Sequence, residues 1–468
     1  MTERVRGNDG SPHALLIRFS FLGIGFYWAW IYSLFFRTSL AANLGSPSAD
    51  LQIKTVLSLL GALAVFAVFF FAFRVIKPKR LGPILFASGF IASLGTLLTT
   101  ATLDNFVIFI SGSLATGFGT GFLLVYWGKL YGSIDAKRAS VRIALSLLIA
   151  IVTCLVTANL ETIATTAVVS ALPLLSALLL YCANTTAARH AEGAEPCFAH
   201  FPFKLMVGLF ACGLSFGFIM NLVLLTSGTV TYAMSAILVA DAIVTLIIAV
   251  MTVAARQGIN FRNAYWVILP LMGLGFLLLP LFSSTERLIA FFFARLGYSL
   301  FDVLIWIRLS SVSSESGSDT THIFCGFRLG LDGGVILGNI LGIMLYDFAF
   351  QHLSIISAVL VFLLIVILTI TFNQKDIETS WGLLKGSQDV LPRWKRACQN
   401  IADRHQLTKR ETEIMILTAQ GRSVSYIAEC LVISTSTVQS HSKNLYRKLD
   451  IHSRQELITL IEDQRQTL

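Results

Sequence analysis

The sequence predicts an all-α protein in two parts: a polytopic membrane bundle of about twelve transmembrane helices, then a small soluble four-helix domain. Three observations predict it. The 468 residues are 55% hydrophobic and only 13% charged, with a mean hydropathy of +0.74, a balance that excludes a chain of soluble domains. The apolar residues come in blocks that reach the ~20 residues a helix needs to cross a bilayer. From Leu407 onward that pattern stops, and the chain becomes charged and punctuated by helix caps.

Residues 1–12 are polar, with Arg4 and Arg6, and no small-residue cleavage site follows the first apolar block. They read as a cytoplasmic tail ahead of an uncleaved membrane domain, residues 13–375. The first six expected spans are Phe19–Phe36, Thr55–Ile76, Leu81–Leu98, Phe106–Trp127, Val141–Val156 and Thr162–Tyr181. A polar stretch, Cys182 to His200, precedes six more: Phe203–Leu225, Tyr232–Ala254, Tyr265–Phe282, Leu288–Leu309, Ile323–Tyr346 and Leu353–Phe372.

One set of connections carries Lys77, Lys79, Arg80, Lys129, Lys137, Arg138, Arg189, Arg256 and Arg262, and the opposite set only Arg37, Lys54 and Arg287. Basic loops stay inside, so both termini are expected in the cytoplasm and the bundle in the cell's inner membrane. The net charge of +9 follows from this bias and from the basic C-terminal part. The cysteines (Cys154, Cys182, Cys197, Cys212, Cys325, Cys398, Cys430) are scattered, with no spacing that suggests zinc or requires a disulfide.

Charge at bilayer depth is costly and marks either function or internal pairing. The eighth span holds Asp241, the tenth Arg295 and Asp302 seven residues apart, and the eleventh the i,i+4 pair Arg328 and Asp332, with Asn339 a further step around. These five charges are the candidate ligand-sensing residues; salt bridges that merely fix the bundle are the alternative. Gly326, Gly330, Gly334, Gly338 and Gly342 recur every four residues in the same span, a ridge that lets a helix approach closely. Gly117, Gly119 and Gly121 read likewise as packing residues. The run Phe26-Tyr27-Trp28-Ala29-Trp30-Ile31-Tyr32 reads first as an interfacial anchor, with inward rings lining an apolar ligand pocket as the second reading.

Residues 376–402 read as a cytoplasmic linker. Its Trp381, Lys385, Arg393, Trp394, Lys395 and Arg396 suit anionic headgroups or DNA phosphates. Residues 403–468 form the soluble domain. Thr408 and Glu411 make a capping box for a helix with Ile414, Leu417 and Thr418 inward, ending at Gly421. Ser423 caps a second, with Ile427, Ala428 and Leu431 inward. A tight turn over Val432 and Ile433 leads to Ser434, which caps a third running to about Leu449, and Ser453 with Glu456 opens a fourth. Such an array is a helix-turn-helix module.

Leu407-Thr408-Lys409-Arg410-Glu411, Gly421, Ile427-Ala428-Glu429, Ile433-Ser434, Thr437-Val438, His441, Tyr446-Arg447-Lys448-Leu449 and Arg454-Gln455-Glu456-Leu457 resemble the LuxR-type DNA-binding domain of bacterial regulators. The resemblance implies that Ser434–Leu449 is a recognition helix. Helical spacing puts Val438, Leu445 and Leu449 on the core side and Ser436, Gln439, Ser440, Lys443 and Arg447 on the other, where they suit a major groove. With Lys409 and Thr437 these are the expected contacts to double-stranded promoter DNA. Many relatives have Lys or Arg where this chain has Gln439, a departure expected to shift base preference. Leu457, Leu460 and Ile461 offer a stripe for a homodimer through the last helix. His441 reads as a packed residue.

Two sets of six spans around a longer break resemble a major-facilitator transporter. That family usually has an acidic residue in the second-to-third loop, but here the loop is Arg74-Val75-Ile76-Lys77-Pro78-Lys79-Arg80-Leu81-Gly82, without one. The combination is similar to membrane-embedded one-component regulators, which implies a bundle that senses a small molecule. A secondary transporter with an attached regulatory DNA-binding domain is the alternative. No nucleophile–base–acid set, metal cluster or nucleotide loop points to an enzyme or a cofactor, and no receiver domain precedes the helix-turn-helix.

Overall fold

The computed structural model describes residues 19–36, 47–72, 81–101, 105–134, 136–187, 203–225, 230–254, 261–316, 320–371, 397–398, 400–419, 422–431 and 433–466. Arg4, Arg6, Arg37, Lys77, Lys79, Arg80, Arg189, Cys197, Arg256, the basic and aromatic linker residues up to Arg396, Gly421 and Val432 lie outside that set. The chain divides into two units, Met1–Asp376 and Ile377–Leu468.

Every regular element among the described residues of the first unit is a helix. Helices α1 (Ile24–Phe36), α2 (Pro47–Ala72), α3 (Leu81–Ala101), α4 (Phe106–Gly132), α5 (Ala136–Ala158) and α6 (Thr162–Ala187) make the first half. The second half is α7 (Phe203–Leu224), α8 (Val230–Ala254), α9 (Phe261–Leu278), α10 (Arg287–Ser316), α11 (Thr320–Met344) and α12 (Leu353–Thr371), with a short helix, Tyr346–Gln351, before the last. Among the described residues nine helices are long and apolar enough to cross a membrane, and Ile24–Phe36 and Leu353–Ile367 are shorter apolar stretches. In lipid every backbone polar group needs an internal partner, which helices supply. The outside is correspondingly apolar: Ile163 is 85% and Phe71 80% exposed.

The two halves repeat one packing scheme with an offset of six helices. Helix α1 lies against α5 and α6, and α3 against α4 and α6; likewise α7 lies against α11 and α12, and α9 against α10 and α12. The halves meet where α2 crosses α11 and α5 crosses α8. The glycine ridge of α11 is buried against α7. A Cβ on Gly330 would sit 2.8 Å from the Met206 carbonyl oxygen, and one on Gly334 or Gly338 would strike the carbonyls of Phe210 or Leu214. Gly213 and Gly217 of α7 meet the backbone of α11 in return. Gly117, Gly119 and Gly121 likewise bring α4 against α2 and α3.

Helix α2 starts eight residues before the expected span, with Pro47 as its first residue, a position that proline suits because its missing N–H has no partner there anyway. Lys54 is therefore not in a loop. It is fully buried, one turn from Asp50.

The second unit holds α13 (Lys409–Ala419), α14 (Val424–Leu431), α15 (Thr435–Leu449) and α16 (Arg454–Gln466). The expected caps are present. The Thr408 N–H donates to Glu411 Oε2 at 2.8 Å while the Glu411 N–H donates to Thr408 Oγ1 at 3.3 Å. Ser423 accepts from the Tyr426 N–H at 3.3 Å, and Ser434 from the Thr437 N–H at 3.1 Å. At α16 the box is shifted by one residue, since Glu456 accepts from the His452 N–H rather than that of Ser453. Asp450 ends α15 in the left-handed region, φ 54°, which a short polar side chain tolerates. One core cluster joins Ile414, Ile427, Ala428 and Val438. Another joins Met415, Leu445, Leu449, Leu457 and Ile461 with Ala397, Cys398, Ile401 and Ala402. Residues 397–402 thus belong to the packed unit, and a boundary at residue 403 cuts through its core.

Candidate nucleic-acid interface and membrane-buried cavity

Helix α15 sorts its side chains as the spacing requires. Val438, Leu445 and Leu449 are buried, whereas Ser436, Gln439, Ser440, Lys443 and Arg447 are exposed, and Thr437 and His441 are half-buried. Thr437 joins the cap, its Oγ1 2.7 Å from Ser434 Oγ. Lys409 opens α13; its side chain lies outside the described set. Lys448, beside Arg447, is turned inward: its Nζ donates to Glu411 Oε2 at 2.7 Å and to the Gln406 carbonyl at 3.3 Å. Burial alone would raise the Glu411 pKa, but the hydrogen bonds from Lys448 and Thr408 outweigh it and hold the carboxyl below its usual range.

Gln439, Lys443 and Arg447 share one concave surface with Arg422, His452 and Arg454. Sequence reasoning passed over Arg422 and Arg454, although one signal was available. Arg454 is the first residue of α16, and a cation at a helix N-terminus opposes the helix dipole. Its Nε donates to the Thr418 carbonyl at 3.2 Å, near the end of α13. Arg422 lies over the Tyr426 ring at 4.8 Å.

The stripe expected for dimerisation is corrected by burial. Leu457 and Ile461 are 0% and 1% exposed because they fill this unit's own core, and Leu460 is half-buried against it. Their heptad-like spacing served the fold of one copy.

In the first unit the five charged residues form two ion-paired groups from α8, α10 and α11. Arg295 Nη2 reaches both Asp241 oxygens, at 3.2 and 2.9 Å, and Ser299 Oγ donates to Asp241 Oδ1 at 2.5 Å. Arg328 bridges two acids, with Nη1 2.9 Å from Asp302 Oδ1 and Nε 3.1 Å from Asp332 Oδ2. Asn339 is elsewhere. It accepts from Asn221 Nδ2 at 2.6 Å on the α7–α11 seam.

Arg295, Asp302, Arg328 and Asp332 line a cavity of about 120 Å³ whose walls come from both halves. The aromatic run of α1 supplies much of it. Tyr27, Trp28, Trp30 and Tyr32 are all buried, between 2% and 6% exposed, and all face the cavity. The interfacial-anchor reading is therefore wrong for these rings. Their density resembles an anchoring belt in sequence, but their polar ends are taken up internally: Trp30 Nε1 donates to Thr96 Oγ1 at 2.9 Å. Tyr298 and Ser299, which no charge pattern pointed to, complete the site.

Residues 405–461 match the family described as "Bacterial regulatory proteins, luxR family", so the C-terminal unit carries a LuxR-type helix-turn-helix domain. Over 65 residues the chain is 45% identical to "Uncharacterized response regulatory protein YgeK" of Escherichia coli (strain K12), covering 13% of this chain and 44% of that one. It is 40% identical over 65 residues to "Transcriptional regulatory protein LiaR" of Bacillus subtilis (strain 168), 14% of this chain and 31% of that one. This chain thus spans less than half the length of each of these relatives. The membrane unit shares the fold of solved transporters. The human organic anion transporter MFSD10 (TETRAN) gives a TM-score of 0.52 at 15% identity over 76% of this chain and 100% of that one. A bacterial homologue of iron transporter ferroportin gives 0.57 at 14% over 78% and 100%. These relatives and neighbours are regulators and transporters, not enzymes. The chain joins a transporter-like membrane fold to a LuxR-type DNA-binding domain.

Proposed function

We propose that the chain is a one-component transcriptional regulator embedded in the inner membrane, with both termini cytoplasmic. The bundle binds a small molecule, and the LuxR-type domain binds promoter DNA as a dimer. The observation that carries this reading is the join itself, in one chain, of a cavity edged by Arg295, Asp302, Arg328 and Asp332 to a helix presenting Ser436, Gln439, Ser440, Lys443 and Arg447. A ligand shifts transcription only if it binds one bundle state better than another, and paired charges beside a cavity offer that difference, because a polar ligand can replace an internal partner. A dimer through α16 would use its outer face, with half-buried Ile458 and Leu460, in place of the buried stripe. Lys409 and Thr437 are read as flanking phosphate contacts, joined by Arg422 and Arg454.

The other reading, a secondary transporter whose attached domain regulates its genes, draws on the fold of the membrane unit. Candidate-compound flux into vesicles, set beside reporter expression in cells, separates the two. The regulator reading expects a reporter response without flux. Flux with an unresponsive reporter would overturn it.

A further inference from the structure

The described charges of the α8–α10–α11 cluster do not balance. Arg295 is committed to Asp241, and Arg328 alone serves both Asp302 and Asp332, so three carboxylates meet two guanidiniums. Outside the cluster, Asp50 and Lys54, buried one turn apart on α2, add no net charge, and Arg287, buried at the start of α10, lies over the Phe350 ring and away from the cavity lining. An excess negative charge at bilayer depth is costly unless a cation answers it. Of the three carboxylates Asp302 has the most contact with the cavity: its side chain is 19% exposed, against 4% for Asp332 and 0% for Asp241.

Around Asp302 the cavity wall is built of Tyr27, Trp28, Tyr298 and Trp306. Ring faces attract cations, most strongly where water is excluded. Arg295 also lines the cavity, 7% exposed and held to Asp241. The volume of about 120 Å³ is near the ~150 Å³ that holds a benzene molecule and below the ~300–1,000 Å³ of drug-sized pockets.

We propose that this cavity is a receptor site for a small organic ammonium ion no larger than one ring with a short chain. Its nitrogen lies against Asp302 within the Trp28 and Trp306 walls. The proposal rests on the sensor reading only for its consequence in transcription, not for binding. An anion would add to the existing excess of negative charge, and a neutral molecule would leave that excess unanswered.

The test uses the full-length protein in lipid nanodiscs and three probes of similar size: 2-phenylethylamine, propylbenzene and phenylacetate. Trp28, Trp30 and Trp306 line the cavity, so intrinsic fluorescence reports occupancy. The amine should bind saturably, and the neutral and anionic probes at least about tenfold more weakly. Asp302→Asn should weaken the amine by a similar factor and leave propylbenzene unchanged. If that variant does not fold, Trp28→Leu should show the same loss for the amine. Equal binding of all three probes, preference for the anion, or full amine affinity in a folded Asp302→Asn would overturn the site. A reporter assay with the same probes keeps the two readings apart. Amine binding without a reporter response leaves the site standing and removes the regulatory role. A reporter driven by the anion alone does the reverse.

Discussion

The two units of this chain hold their polar residues in opposite ways. In the bundle, Asp241 and Arg295 are 0% and 8% exposed in their side chains, and each charged group of the cluster has an ionic partner, with Arg328 shared between two carboxylates. In the C-terminal unit Gln439, Lys443 and Arg447 face outward on one helix, while the ion pair of Lys448 with Glu411 is kept off that face. Charge in a low dielectric is expensive to leave unanswered, so it decides which arrangements of the bundle are allowed. Charge in water is screened and cheap, so it can be spared for phosphates and base edges. One chain thus uses the same residue types for selecting a state and for reading a surface.

The contrast breaks most visibly at Arg295. Arg295→Ala leaves Asp241 buried without its partner and should destabilise the bundle by about 3–5 kcal/mol, read as a lowered midpoint of thermal unfolding in detergent. Asp302→Asn, at the more exposed end, should shift that midpoint far less. Equal shifts would mean that the two ion-paired groups play the same structural role.

Next is the edge of the soluble unit. Residues 377–468 should fold alone and bind DNA, whereas 403–468 loses Ala397, Cys398, Ile401 and Ala402 from the core. Its stability should fall by about 2–5 kcal/mol, the cost of emptying a core site, measured by urea unfolding. Equal midpoints would make residues 397–402 an accessory to the domain.

On the exposed face the effects are smaller. Gln439→Ala should cost about 1–3 kcal/mol against the best site and relax preference at one base pair. Lys443→Ala should weaken all sequences alike and lower the salt slope by about one. Footprints at several salt concentrations distinguish these, and unchanged footprints in both variants would mean that α15 presents another face to DNA.

The smallest effect is a pH slope. The Glu411 pKa is held below its ordinary value, so the stability it contributes is present above the unfolded pKa of about 4.3 and lost as pH falls through the folded value. Glu411→Gln should flatten the acid limb of urea unfolding for residues 377–468 and leave the slope near neutrality unchanged.

How much of this was legible follows the same division. The caps at Thr408, Ser423 and Ser434 and the inward stripe of α15 are local, so residue type and spacing were enough. The apolar blocks gave every long helix of the bundle, but the start of α2 was missed because Asp50, Gln52 and Lys54 are polar and yet buried in the fold. The five charges were found as costly residues, but the Arg328 bridge depends on the packing of α10 against α11, which no periodicity encodes. The rings of α1 were misread for the same reason, since composition gives an aromatic helix without saying what it faces. Leu457 and Ile461 erred in the other direction, a stripe that fits a partner helix being equally one that fits its own core.

The central claim is that a protein held in the membrane occupies promoter DNA through α15. The direct measurement is crosslinking of the full-length protein to DNA in intact cells, with membrane abundance followed in the same samples, for the native chain and Lys443→Ala. The account expects discrete promoter sites that are lost or strongly weakened in the variant while both proteins stay at equal abundance in the membrane. Sites equally occupied by the variant, or no sites above background for a native chain present in the membrane, would contradict it.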